Sequence, residues 1–294
     1  QLNLKISVFD TQWFGNFLRP HKNLKIIKGD IRLIDDKIFN NIDTVIHLAN
    51  IANDPSVDLS PVLSWDVNVL SLLNILHKCK KNKVKHFLYS SSGSVYGIKK
   101  EKKVTEDLDL VPISTYNKTK MIAERIMLSY KDNLTCHIIR PATVCGYSPR
   151  MRFDVSVNNL TIQALKNKKI IVFGGNQIRP NINISDISRI FQYFIFNKKK
   201  IEPGFYNAGF ENLSILKTAN IISQLTGAKI NIMKNNNDPR SYRLDSSKLL
   251  NTGFKPLYGV KDAIIDLIKM YKEKKLYVSD INYTVKWMKK NKIK

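Results

Sequence analysis

The sequence predicts an α/β protein: a doubly wound parallel sheet followed by a smaller C-terminal lobe. Three observations carry this. Short apolar strand patterns alternate with helical ones through the first half of the 294 residues. A hydroxyl run, Ser90-Ser91-Ser92, falls at the end of the apolar stretch Val84-Lys85-His86-Phe87-Leu88-Tyr89. In open α/β sheets, ligands bind at the carboxyl ends of strands. Finally, Tyr116 and Lys120 stand one helical turn apart in Ser114-Thr115-Tyr116-Asn117-Lys118-Thr119-Lys120.

Taken in order, residues 5–10, 24–28, 43–49, 86–91 and 136–142 read as strands rich in Val, Ile, Leu and Phe. Residues 67–79 and 118–130 carry apolar side chains at helical spacing. Such alternation favours parallel strands with helical crossovers. After Gly146 the pattern loosens. Residues 160–165 and 213–225 look helical, and 169–173, 205–208 and 229–233 look like short strands. The expected division is a cofactor domain over 1–147 and a substrate lobe mainly over 148–294, with some segments returning to the first domain.

Composition narrows the partners. The hydrophobic fraction of 43% is ordinary for a soluble globular chain. No apolar run reaches the length of a bilayer span, so no membrane partner is expected. Cys79, Cys136 and Cys145 are odd in number and lack a C-x-x-C spacing, which reads as buried free thiols in a reducing cytoplasm. The five His show no metal-ligand spacing, and no metal site is assigned. The net charge of +24 raises nucleic-acid binding. The lysines are spread over the whole chain, however, without an aromatic-interleaved groove, so no nucleic-acid partner is expected.

The Ser/Tyr/Lys set points to proton transfer. A free phenol has a pKa of about 10 and is a poor base at neutral pH. A nearby ammonium favours the phenolate, so Lys120 is expected to lower the Tyr116 pKa. Ser92 can hold a substrate hydroxyl against Tyr116. Together they can move a proton on or off a carbinol while hydride leaves its carbon. Asp10, ending Ile6-Ser7-Val8-Phe9, suits the acidic residue that accepts bonds from an adenosine ribose, and its charge favours NAD over NADP. Gly29-Asp30-Ile31 is placed to meet adenine, and Leu48-Ala49-Asn50 to line the cofactor cleft. A G-x-x-G-x-x-G phosphate loop is expected ahead of residue 5, and the sequence starts at Gln1. The expectation is that the first strand, glycine loop and most of the first helix are lacking, and that NAD binding by these residues alone is poor.

With these residues in order, the chain resembles the extended short-chain dehydrogenase/reductase family, nearest to the NAD-dependent nucleotide-sugar epimerases and dehydratases. Asp10, Asp30-Ile31, His47-Leu48-Ala49, Asn68, the Ser run, Tyr116/Lys120 and Arg140-Pro141-Ala142 carry the cofactor half of the resemblance. Asn158-Asn159-Leu160, Gln177-Ile178-Arg179 and Asp238-Pro239-Arg240-Ser241-Tyr242 carry the sugar half. The resemblance implies a Rossmann domain, bound NAD and a homodimer. It implies Ser92, Tyr116 and Lys120 as catalytic residues, Tyr116 being the base and Lys120 also binding nicotinamide ribose. Asp10, Asp30, Ile31, Leu48, Ala49, Asn68, Ser90 and Pro141 would complete the NAD site. Ser92, Ser94, Thr143, Asn158, Asn159, Arg179 and Arg240 would hold the nucleotide-diphospho-sugar, the two arginines on the diphosphate.

Two departures sharpen the reading. The 4,6-dehydratases carry an Asp-Glu pair where this chain has Gly93 and Ser94, so dehydration is disfavoured. Thr143 stands where many 4-epimerases carry Asn, and Asn235 where they carry an Arg for the diphosphate, so the substrate is expected to depart from a common UDP-hexose. The expected activity is oxidation at C4 of a nucleotide sugar through a 4-keto intermediate, ending in epimerisation. Alternatives are a 4-dehydrogenase or reductase that releases product, for example on a heptose or deoxysugar, or a non-catalytic binding protein of the same fold.

Overall fold

The computed structural model describes residues 4–234 and 241–293. Its chain begins with β1 (Ile6–Asp10) and β2 (Leu24–Lys28), paired in parallel. Next come β3 (Thr44–His47), α1 (Asp54–Leu59), α2 (Pro61–Trp65), a π-helical turn Asp66–Leu70 and α3 (Ser71–Lys81). Then follow β4 (His86–Ser90), α4 (Thr115–Leu128) and β5 (Thr135–Pro141). The larger sheet takes β3, β4 and β5 in parallel and adds β9 (Gly204–Ala208), introduced from the second half, beside β5.

Period-two alternation explains why this sheet is covered on both faces. Phe87 and Tyr89 of β4, with Cys136 and Ile138 of β5, belong to one core with Leu72, Ile75, Leu76 and Cys79 of α3 and Met127 of α4. Leu88 and Ile139 point to the other side, against Ile190 and Phe194. The α3 residues recur at i, i+3, i+4 and i+7, one apolar stripe. α4 is different: Tyr116, Lys120 and Glu124 share one face at i, i+4 and i+8, and the last two are buried.

The second half continues with β6 (Thr143–Cys145), α5 (Ser156–Asn167), β7 (Lys169–Phe173), β8 (Ile178–Asn183) and α6 (Ile184–Asn197). After β9 come β10 (Glu211–Ser214), α7 (Ile215–Thr226), β11 (Lys229–Met233), α8 (Ser247–Asn251), α9 (Val260–Lys272) and α10 (Thr284–Lys290). β6, β8 and β10 form one small sheet, and β7 with β11 another. Val157, Leu160, Val172, Ile222, Val260 and Ile264 form their own core.

Several boundaries differ from the sequence expectation. The helix expected at 213 starts at Ile215, because Leu213 and Ser214 pair with β8 and the Ser214 hydroxyl caps the helix on Lys217 N. The strand expected over 43–49 stops at His47, and Leu48 and Ala49 turn toward the strand ends. The helix expected from residue 67 is continuous with helical turns that start at Pro61, and it passes through the π turn that carries Asn68. The three cysteines are free and buried, as expected, and burial pushes Cys79 and Cys145 up to about 12 and Cys136 to about 11.

Candidate active site

A cleft of about 1510 Å³ opens at the carboxyl ends of β3, β4 and β5. Its wall on the sheet side comprises Leu48, Asn50, Ser90, Ser92, Tyr116, Lys120 and Pro141. The opposite wall comes from Thr143, the 146–154 loop, α5 and β8.

The catalytic set is assembled locally. Ser92 leaves β4 in extended conformation and caps the turn Gly93–Tyr96 through Ser94 N at 3.2 Å. Its hydroxyl also meets that of Ser94 at 2.7 Å, and Ser94 donates to Asn117 Oδ1 at 2.7 Å. Ser114 caps α4 through Asn117 N, which fixes the rotation that turns Tyr116 and Lys120 toward the strand ends. Lys120 Nζ donates to the Ser90 carbonyl at 2.7 Å and sits 4.8 Å from the Tyr89 ring centroid and 6.0 Å from that of Tyr116.

The electrostatics correct one expectation. Burial pushes the Tyr116 hydroxyl above 10; the Arg152 charge and the Ser92 hydrogen bond act the other way without overcoming it. Lys120 was expected to lower Tyr116, but desolvation drives Lys120 itself down to about 7, with Glu124 opposing. An ammonium that loses its proton near neutrality has less charge to lend to a phenolate. His47, stacked on Tyr89 with ring centroids 5.8 Å apart, is held down to about 3 by burial and by Lys120.

Deeper along α4, Glu124 accepts a bidentate pair from Arg140 at 3.0 and 2.8 Å and a bond from Ser91 Oγ at 2.5 Å. Arg140 also donates to Tyr96 OH at 2.7 Å, and Tyr96 donates to Asn207 Oδ1 at 2.8 Å. This buried network joins β4, β5, β9 and α4 below the cleft.

The other expected residues divide into two groups. Leu48, Ser90, Ser94, Pro141, Thr143, Asn158, Asn159 and Arg179 line the cleft. Asn158 Oδ1 accepts from Gly146 N at 2.9 Å and its Nδ2 donates to Arg152 O at 3.0 Å, so it clamps the loop that forms the rim. Asp10, Asp30, Ile31, Ala49 and Asn68 are not brought to the cleft surface. Asp10 accepts from Gln12 N at 2.5 Å. Asp30 is held below the usual carboxylate range by its Arg32 hydrogen bond, and Ile31 is buried. Asn68 spends its amide on Ile51 N and O and on Thr119, fixing the loop after β3. Arg240 and Asn235 lie outside the described residues. Asn50, expected with Leu48 and Ala49 to line the cofactor cleft, does so; sequence reasoning missed Asp54, Arg150 and Arg152, all on the cleft wall. The alternation in Arg150-Met151-Arg152-Phe153-Asp154 was the available signal: the apolar residues are buried and anchor the loop, and the charged ones line the cleft.

The residues present fit a nicotinamide dinucleotide at the sheet side of the cleft. Both amide atoms of Asn50 are buried there without a protein partner, and the exposed Leu48 and half-buried Pro141 line the same cleft. That combination offers a polar edge an amide and a ring an apolar seat. Among the described residues, no group of His, Cys, Asp or Glu is arranged to hold a metal ion. No described helix is long and apolar enough to cross a membrane.

Comparison with known proteins agrees with this geometry. The chain is 27% identical over 298 residues to a UDP-glucose 4-epimerase of Lactobacillus helveticus, covering 91% of this chain and 89% of that one. It superposes with a TM-score of 0.76 on a UDP-glucuronic acid 4-epimerase from Bacillus cereus in complex with UDP-glucuronic acid and NAD, at 29% identity, covering 86% and 83% of the two chains. A UDP-N-acetylglucosamine 4-epimerase from Methanobrevibacter ruminantium shares the fold, with a TM-score of 0.83 at 24% identity over 92% and 91% of the chains. Residues 5–209 match the sequence pattern of the NAD dependent epimerase/dehydratase family, and the chain belongs to that family.

Proposed function

We propose that the protein is an NAD-dependent 4-epimerase of a nucleotide-diphospho-sugar, working through a 4-keto intermediate. The observation that carries this is the convergence of Ser92, Tyr116 and Lys120 on one end of a cleft large enough for dinucleotide and sugar nucleotide together. The similar proteins described above are named as 4-epimerases, which favours return of the hydride over release of the ketone.

The Tyr116 hydroxyl is the atom that takes the C4–OH proton and gives it back. Ser92 Oγ, on the same wall of the cleft as Tyr116, holds the sugar hydroxyl in line. Lys120, pinned to Ser90 O, orients the ribose hydroxyls next to the base. When bound, NAD would supply the hydride acceptor and donor for C4. Asp10, at the end of β1, is assigned to the adenosine ribose and sets NAD above NADP. Asp30, Ile31, Ala49 and Asn68 remain assigned around the cofactor, Asn68 through the loop it holds. Arg179 and Arg240 are assigned to the diphosphate, where a guanidinium fork matches phosphate oxygens. The protein is assigned as a homodimer acting in the cytoplasm.

Dehydration is not served by this site. A Cβ built on Gly93 falls 3.3 Å from the Pro141 carbonyl oxygen, which crowds an acid there, and Ser94 is committed to Asn117. Incubation with NAD and a panel of UDP-, GDP- and dTDP-sugars, read by NMR, tests the proposal. A C4 epimer is expected. A 4-keto-6-deoxy product, or no turnover of any nucleotide sugar, would contradict it.

A further inference from the structure

We propose that the cleft-facing lysines of α10, Lys286 and Lys289, form a seat for the diphosphate of the dinucleotide. The inference rests on the NAD-dependent reading above.

The chain after α9 is built into both sides of the cleft. Leu276 is buried and, with Tyr283, packs against Met151, Phe153, Ile162 and Leu267. Asn282, 3% exposed, donates from Nδ2 to Met151 O at 3.0 Å, and its own carbonyl accepts from Phe153 N at 3.0 Å. α10 then crosses to the first half of the chain. Met288 is buried in the core that holds Leu72, Phe87 and Met127. Trp287 stacks on Trp13 with ring centroids 5.7 Å apart, and its ring lies 4.9 Å from that of Phe14.

Helical spacing decides which residues face the cleft. Thr284, Trp287 and Met288, at i, i+3 and i+4, share the face that docks. Val285, Lys286 and Lys289 fall on the other side and line the cleft with Tyr283. The docking of Trp287 and Met288 therefore holds two ammonium groups on the cleft wall.

Positive charge is in excess there. Asp280 serves Lys286 at 2.8 Å and Lys290 at 3.0 Å, one carboxylate between two ammonium groups. Among the described residues, Lys289 has no ion-pair partner. Arg150, on the same cleft, donates to Thr284 Oγ1 at 3.1 Å and stacks 3.5 Å from the Phe14 ring centroid, which fixes a further cation at the start of the helix. The neighbouring carboxylates are engaged elsewhere. Asp54 accepts from Ser114 at 2.5 Å, and Asp154 accepts from Arg152 at 2.7 Å and from Asn53 at 3.1 Å. A cleft rim lined by one sign of charge attracts a ligand of the other.

Position selects the diphosphate. One enters the cleft with each nucleotide. That of the sugar nucleotide is assigned to Arg179 of β8, on the wall opposite the sheet. α10 is docked on Trp13 and Phe14, in the segment that follows Asp10, where the adenosine ribose is assigned. In a dinucleotide the diphosphate is attached to the 5′ carbon of that ribose. Cations beside this segment therefore meet the dinucleotide diphosphate, whose negative charges match two ammonium groups acting as point charges.

Calorimetric titration of the full chain with NAD, ADP-ribose and UDP, at low and high salt, tests the inference. The double variant Lys286→Gln, Lys289→Gln is expected to bind NAD and ADP-ribose about 10-fold or more weakly, the range for hydrogen bonds to charged groups. Its NAD affinity should also depend less on salt, and its UDP affinity should equal that of wild type. Lys286→Arg with Lys289→Arg keeps the charge and should retain most of the NAD affinity. Lys290→Gln removes the same charge from the helix off the cleft wall and should leave NAD affinity unchanged. Unchanged NAD affinity in the double Gln variant, or the same loss in Lys290→Gln, would overturn the proposal while leaving the epimerase reading intact. An equal loss of UDP affinity would reassign the lysines to the sugar nucleotide and also overturn it. A wild-type protein that binds UDP but neither NAD nor ADP-ribose would remove the NAD reading together with the seat.

Discussion

α4 supports two buried polar clusters on one face, and they are organised in opposite ways. Around Glu124, the Arg140 fork, Ser91, Tyr96 and Asn207 close a network in which the charged groups are paired and out of water. One turn toward the cleft, Lys120 has a single carbonyl partner, and Asn50, His47 Nε2 and Tyr89 OH carry unpaired buried polar atoms. Burial lowers Lys120 and raises Tyr116. A fully satisfied network holds elements together. A partly satisfied one costs stability until a ligand completes it, which is where chemistry is expected.

This contrast can be broken first at Tyr116. Tyr116→Phe should lower turnover by about 10²–10⁴-fold while leaving the melting temperature near that of wild type. A variant with unchanged turnover would place the base elsewhere.

Arg140→Leu probes the closed network. Glu124 is left as an unpaired buried charge, and the expected loss is about 3–5 kcal/mol in denaturant unfolding. A loss below about 1 kcal/mol would mean that water reaches Glu124 and that the network is not closed.

Lys120→Met should do the reverse, abolishing useful turnover while stabilising the ligand-free protein by about 1–4 kcal/mol. The sign follows from linkage. Lys120 titrates near 7 in the folded state and at 10.5 in the unfolded chain. The unfolded state therefore binds more protons between those values, and stability rises with pH across that window. The advantage of Lys120→Met should be greatest below pH 7 and fade toward pH 10. An advantage that grows with pH would contradict the burial argument.

The smallest effect is expected at Arg152. Its positive charge lowers the Tyr116 pKa, so Arg152→Gln should move the rising limb of the kcat/KM profile to higher pH, by less than about one unit. A shift to lower pH would show that another group governs that limb.

The two clusters were unequally legible in the sequence. Tyr116, Lys120 and Ser92 were found because their spacing and their place after an apolar strand carry a chemical meaning. Glu124 and Arg140 read as ordinary helix and strand charges, since burial depends on which elements pack together. Arg150 and Arg152 were missed because they sit on a loop positioned by Asn158 and Asn282, the latter 130 residues away from Arg152. The strands β4 and β5 were legible from their apolar runs. The short strands β6, β8 and β10 were not, because Thr143, Asn181, Asn183 and Asn212 break the apolar pattern in strands completed by their neighbours.

The central claim is that hydride leaves C4 and returns to the same carbon while Tyr116 handles the proton. Incubating the NAD-loaded protein with UDP-glucose and UDP-glucuronate deuterated at C4 tests this directly. The account predicts a C4 epimer that retains deuterium at C4, formed by wild type and lost in Tyr116→Phe. An epimer with deuterium washed out to solvent, or no epimer from either sugar, would contradict it.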